Sequence, residues 1–217
     1  MILKNRKDYR TAAEYLSGKD KKLAYLIEHF DLPKFRRETN YFKALTRAII
    51  YQQLNGKVAT KILERFIGLF KTDAYPTPEM VVKKTIPTLR QAGLSERKAS
   101  YIKNIAQFFL DNHITPQKLN KLSNEEIKEM FVQIKGVGSW TVDMFMMFTL
   151  GRPDILPVGD LGIRQGFKFM YELDKLPDET FMYQKAKKWS PYRTVASIYL
   201  WDLANSGMTY KELRKQK

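Results

Sequence analysis

Apolar residues recur along the chain at the three- and four-residue intervals of a helix, and almost nowhere in the alternation of a strand. Ala12, Tyr15, Leu16, Leu23, Leu26, Ile27 and Phe30 place one or two helices over residues 8–30. Gly18-Lys19-Asp20 is the break, and Asp20 is a cap for the second. After a charged connector at 34–40, Phe42, Leu45 and Ile49 put one helix over Tyr41–Gln52. Gln53-Leu54-Asn55-Gly56 interrupts, and another helix runs from about Lys57 through Phe66 to Phe70. Short helices follow at Glu79–Lys84 and from Ile86 to Gly93, the second closed by its glycine. Ser95 caps an amphipathic helix to Leu110 with Ala99, Ile102, Ile105, Ala106 and Phe109 inward. Ser123 and Glu126 form a capping box for the helix Glu125–Gln133. Ser139–Leu150 is apolar nearly all round and reads as a buried central helix. Helices Leu161–Tyr171, Pro177–Lys188 and Thr194–Asn205 complete the series, and the basic tail from Lys211 frays. The pattern predicts an all-α protein of about ten helices in two lobes. One lobe is expected over about residues 41–155, including the helix-hairpin-helix 125–150, and the other over about 1–40 plus 156–217, with any site expected in the cleft between them.

One stretch breaks the amphipathic routine. Ile134-Lys135-Gly136-Val137-Gly138 ends one helix and Ser139 begins the next. With no side chain at Gly136 or Gly138, backbone can approach another molecule closely. The N–H groups that open the next helix are unpaired and carry partial positive charge, which suits a phosphate. Lys121, Lys128 and Lys135 surround the approach. Further on, Asp160 precedes a helix. It reads either as an N-cap worth about 1 kcal/mol, with Arg164 four residues on as its ion partner, or as a carboxylate placed to act on a ligand. Asp143 is a competing carboxylate on the second hairpin helix.

Composition narrows the choice. Of 217 residues, 38 are Lys or Arg against 23 Asp or Glu, a formal net charge of +15. That excess favours a polyanionic partner. There is no cysteine, which excludes disulfides, thiol catalysis, zinc–thiolate sites and iron–sulfur clusters. The two histidines, His29 and His113, are too few for a histidine metal site. No apolar run approaches the ~20 residues of a membrane span, and the N-terminus lacks a signal-peptide core. These features predict an intracellular protein.

The hairpin loop, Trp140 and Asp160 together resemble the helix-hairpin-helix DNA glycosylases, in their 3-methyladenine DNA glycosylase II branch. Gly93-Leu94-Ser95 with Lys98-Ala99 and Tyr101-Ile102 also matches, as does Trp189-x-Pro191-aromatic-Arg193 with Trp201. The likeness spans about residues 40–205; the missing cysteines set it apart from the endonuclease III-like branch. It implies a glycosylase that flips alkylated purines out of duplex DNA and excises them. Asp160 would stabilise the oxocarbenium-like sugar and position water. It implies a base pocket of Trp140, Trp201, Met144 and Tyr51, with core packing as the alternative for each tryptophan. Met144 stands where some relatives carry an aromatic ring. It implies a DNA-gripping hairpin of Ile134, Lys135, Gly136, Val137, Gly138 and Ser139. Gln53, Leu54 and Asn55 match the loop that wedges into the duplex; a plain helix–helix turn with Leu54 in the core is the other reading. Lyase relatives carry a lysine where Trp140 stands, so the resemblance implies a monofunctional enzyme. No cofactor is required, although carbonyls of Val132, Ile134 and Val137 match positions that hold a monovalent cation, Na+ or K+. The partner implied is double-stranded DNA with alkylated bases, and the protein a monomer with no obligate protein partner, in the cytoplasm or nucleoid, or a nucleus. A non-catalytic hairpin module that binds DNA, or a helical interaction protein with an incidental basic face, are the alternatives.

Overall fold

The computed structural model describes residues 2–34, 37–72 and 74–215. Among them every regular element is helical and no strand occurs. The chain forms two compact units: residues 1–37 with 146–217, and residues 38–145.

The first unit begins with α1 (Arg6–Lys19) and α2 (Lys21–His29). Asp20 caps α2 by accepting from Lys22 N–H, as its position predicts. Its other oxygen accepts the indole N–H of buried Trp189 at 2.8 Å, and Lys188 lies 3.0 Å away. Asp20 therefore ends α1 through its backbone N–H, which donates to Leu16 O, while its carboxylate starts α2 and ties it to a segment far along the chain. That segment follows α11 (Leu161–Tyr171) and α12 (Glu179–Ala186) and leads into α13 (Arg193–Ser206). Leu16, Leu23, Ile163, Phe167, Trp189, Val195, Tyr199 and Leu203 form one buried core. Trp189 and Arg193, matched on sequence, are structural: Arg193 grips Asp154 through Nε at 2.6 Å and a second guanidinium nitrogen at 2.8 Å.

The tail forms a helix where fraying was predicted. α14 (Tyr210–Arg214) is opened by a Thr209–Glu212 capping box and buries Tyr210 and Leu213. Residues 216 and 217, and residues 35 and 36 of the charged connector, lie outside the described residues.

The second unit holds α3 (Tyr41–Tyr51), α4 (Gly56–Gly68), α5 (Pro78–Val82), α6 (Ile86–Arg90), α7 (Glu96–Asp111), α8 (Pro116–Lys121), α9 (Asn124–Val132) and α10 (Ser139–Phe145). The capping residues read from sequence work as such: Ser95 opens α7, and Ser123 with Glu126 opens α9. α8, capped by Thr115, is too short for a periodic signal and was not anticipated. A run of rings, Phe42, Phe109, Phe131 and Phe145, packs edge-on or tilted through the core at 5.2–6.3 Å.

The boundary between units falls at Phe145–Met146 rather than near 155. Helix Ser139–Leu150 is not uniform either: the α turns end at Phe145 and a π-helical stretch, Met146–Leu150, follows. Residues in and after it find their partners in the first unit. Leu3 N–H donates to Gly151 O at 2.8 Å, Arg37 donates twice to Thr149 O, and Thr194 Oγ1 accepts Ile155 N–H. Hydrophobic patterning cannot show where such bonds go, so it placed this segment on the wrong side.

Candidate active site

Within the second unit the hairpin has two faces. α9 ends at Val132, the turn runs through Gly138, and α10 starts at Ser139. Ile134 and Val137 are buried, and Val137 N–H donates to Ile134 O at 2.9 Å to close the turn. Lys135, Gly138, Ser139 and Trp140 are exposed. The two glycines have different reasons. Gly136 sits at φ +106°, and a Cβ there would fall 2.1 Å from Cγ of Tyr101, whose ring packs on the turn. Nothing lies within 4 Å of a Cβ at Gly138. Only Gly138 leaves backbone open to another molecule; the space at Gly136 is taken up inside the fold. Lys128 is not a spare cation beside the hairpin either. Its ammonium pairs with Asp143 at 3.0 Å. Burial pushes the Asp143 carboxyl up and the Lys128 hydrogen bond pulls it back, which makes Asp143 a structural ion partner.

Beside the hairpin a cavity of about 700 Å³ opens in the same unit. Tyr51, Gln53, Trp140 and Met144 line it, together with Ser95, Arg97, Lys98 and Tyr101. Its walls are aromatic, apolar, neutral polar or cationic, with no carboxylate among the lining residues. That suits a planar base attached to an anionic backbone. Trp140 is 44% exposed. Tyr51 O–H pairs with Thr60 Oγ1 at 2.9 Å, and Arg47 lies 4.7 Å from the Tyr51 ring centre.

The α3–α4 turn projects at the cavity's edge. Gln53 takes a left-handed conformation, φ 55°, and is exposed. Leu54 is 38% exposed, so the reading that places it in the core fails. Asn55 is an N-cap, accepting Val58 N–H at 2.9 Å, and is thereby tied to the fold. Lys98 braces this turn. Its ammonium donates to Ile50 O at 2.8 Å and Gln52 O at 2.7 Å, carbonyls at the end of α3. Lys98→Met should leave these acceptors to water, cost about 1–2 kcal/mol in urea titration, and weaken binding to a duplex with an abasic site. Unchanged binding would show that the turn holds itself.

In the first unit, Asp160 caps α11, its Oδ1 accepting Ile163 N–H at 2.9 Å. Trp201 Nε1 donates to the same oxygen at 2.8 Å. Arg164 does not pair with this carboxylate as predicted. Its guanidinium turns to Pro177 O at 3.1 and 3.2 Å, beyond the helix.

A family model described as the HhH-GPD superfamily base excision DNA repair protein matches residues 46–191. The chain belongs to that superfamily. DNA-3-methyladenine glycosylase 1 of Schizosaccharomyces pombe is 34% identical over 212 residues, covering 95% of this chain and 93% of that protein. The solved DNA-3-methyladenine glycosidase of Bacillus halodurans aligns at TM-score 0.85 and 32% identity, over 94% of this chain and 95% of that one. The S. pombe 3-methyladenine DNA glycosylase, solved in complex with abasic DNA, aligns at TM-score 0.75 and 33% identity, over 88% and 95%.

For a member of the HhH-GPD superfamily, the structure sorts the predicted residues by unit. Tyr51, Gln53, Trp140 and Met144 meet at one cavity. Leu54 and Asn55 adjoin it in the α3–α4 turn without lining it. Trp201 is not among its walls; it binds Asp160. Lys98 and Tyr101 were matched on sequence without a role at the site. No local signal could have found the part Lys98 plays, because its acceptors are 48 and 46 residues away in sequence.

Proposed function

We propose that this protein is a monofunctional DNA glycosylase that excises alkylated purines of the 3-methyladenine type in base excision repair. The observation that carries the chemistry is Asp160: one carboxylate, one oxygen of which is fixed by two N–H donors. Methylation of a ring nitrogen makes the purine cationic. The bond from that base to C1′ breaks with its electron pair going to the base, which departs neutral and needs no acid. The sugar left behind has oxocarbenium character, and an ionised carboxylate stabilises it. Water then adds to C1′ and releases its proton, with Asp160 orienting it.

The second unit supplies recognition. Trp140, at the cavity wall, meets the cationic base, an attraction of about 0.5–2 kcal/mol, and Tyr51 and Met144 complete the wall. Lys135, Gly138 and Ser139 meet phosphates of the duplex. Gln53, with Leu54 next to it, enters the stack that the flipped nucleotide leaves, offsetting part of the few kcal/mol that extrusion costs. The hairpin also fits a monovalent cation. Val132 ends α9, where carbonyls lack intrahelical partners, and neutral carbonyl oxygens of Val132, Ile134 and Val137 balance a single charge better than two. Such an ion would add positive charge next to a DNA phosphate. The protein acts as a monomer inside the cell; among the described residues no helix is long and apolar enough to cross a membrane.

The decisive measurement is release of labelled methylpurine from methylated duplex, followed by a panel of single-lesion duplexes to define the substrate range. With Trp140 at the position of the lyase lysine, no Schiff base can form there. The product strand should stay intact until alkali or heat is applied. Prompt strand cleavage by β-elimination would refute the monofunctional assignment.

A further inference from the structure

An aspartate N-cap is ordinarily held by helix backbone alone. Asp160 has more: the indole N–H of Trp201, from 41 residues along the chain, donates to the same Oδ1 that accepts Ile163 N–H. The approach is possible because residue 162 is glycine. A Cβ there would lie 2.7 Å from Trp201 Cδ1, 2.9 Å from its Nε1 and 3.1 Å from Asp160 Oδ1. Gly162 is not at positive φ, so its role is space rather than backbone conformation. Phe148 stacks on the indole at 5.9 Å and 28°, which fixes the plane in which the N–H points.

We propose that Trp201 is a positioning residue for Asp160, its ring nitrogen orienting the carboxylate, and that Gly162 is there to admit the indole. The carboxyl torsion of aspartate is broad and nearly two-fold, so a single cap bond lets the two oxygens exchange places. Two donors converging on Oδ1 from different elements select one orientation. This inference rests on the catalytic role proposed for Asp160, and differs from the expectation that Trp201 walls the base pocket.

The test is single-turnover base release by wild type, Trp201→Phe, Gly162→Ala and Asp160→Asn on several single-lesion duplexes. Trp201→Phe keeps an aromatic ring against Phe148 and loses only the donor; Gly162→Ala keeps the indole and pushes it away. Each should lower the maximal rate about tenfold on every lesion, the scale of one hydrogen bond to a charged group, with KM and duplex affinity unchanged. The Trp201 indole N–H resonance of the unaltered protein should move in Asp160→Ala, where its acceptor is gone. A loss confined to one lesion or to KM would make Trp201 a wall and overturn the proposal. So would an indole resonance unmoved by Asp160→Ala. Full release by Asp160→Asn would instead remove the catalytic reading itself, whatever the tryptophan variant does.

Discussion

Asp160→Asn should reduce methylpurine release by about a thousandfold or more, the scale seen when a charge-stabilising group is removed, while duplex affinity stays within a few-fold. Asparagine caps a helix as well as aspartate does, and its amide oxygen can accept both Ile163 N–H and Trp201 Nε1–H, the bonds seen at 2.9 and 2.8 Å. These two bonds are kept while the negative charge is removed. Thermal melting measured beside release separates a loss of chemistry from a loss of fold. Asp160→Ala is the poorer experiment, since it also forfeits a cap worth about 1 kcal/mol. Equal release by Asp160→Asn and wild type would leave a hairpin protein that binds DNA without acting on it.

The second large effect separates the hairpin glycines. Gly136→Ala places a carbon 2.1 Å from the Tyr101 ring and a side chain at φ +106°. Strain and overpacking together should cost about 3 kcal/mol, read as a lower urea midpoint, and DNA binding should fall with the distorted turn. Adding Tyr101→Ala should return only the part due to the clash, because the backbone strain remains. Gly138→Ala should behave in the opposite way. With nothing within 4 Å of its Cβ and no positive φ, it should melt within about 0.5 kcal/mol of wild type, as surface changes do. It should nevertheless lose duplex affinity, because the added methyl stands where a phosphate must approach. If Gly138→Ala bound DNA normally, the exposed side of this turn would not be the contact surface. If Gly136→Ala were stable, the packing of Tyr101 would not be what requires glycine there.

The parts of the molecule that were readable in advance share a scale. Asp20, Ser95, Ser123 and Asp160 each cap a helix as their position predicts, because a cap bonds to N–H groups two or three residues on. Helix faces followed the spacing of Leu45 and Ile49, or of Ile102 and Ile105, for the same local reason. The hairpin glycines, the tryptophan at 140 and the excess of cations were visible without a fold. Tyr51, Gln53, Trp140 and Met144 were named from separate helices and turns, and they do line one cavity.

Sequence alone therefore determined most of the helices, their caps and the glycine turn, since each depends on neighbours a few residues away, while the candidate site residues were named from resemblance to a family. Tertiary structure alone decided the partners. It turned Arg164 to Pro177 O, Lys128 to Asp143 and Lys98 to the end of α3, and it gave the indole of Trp201 to Asp160. A long cation or an indole N–H has many acceptors of nearly equal worth. Which one it meets is set by what packing brings within about 3 Å, and no pattern along the chain encodes that distance.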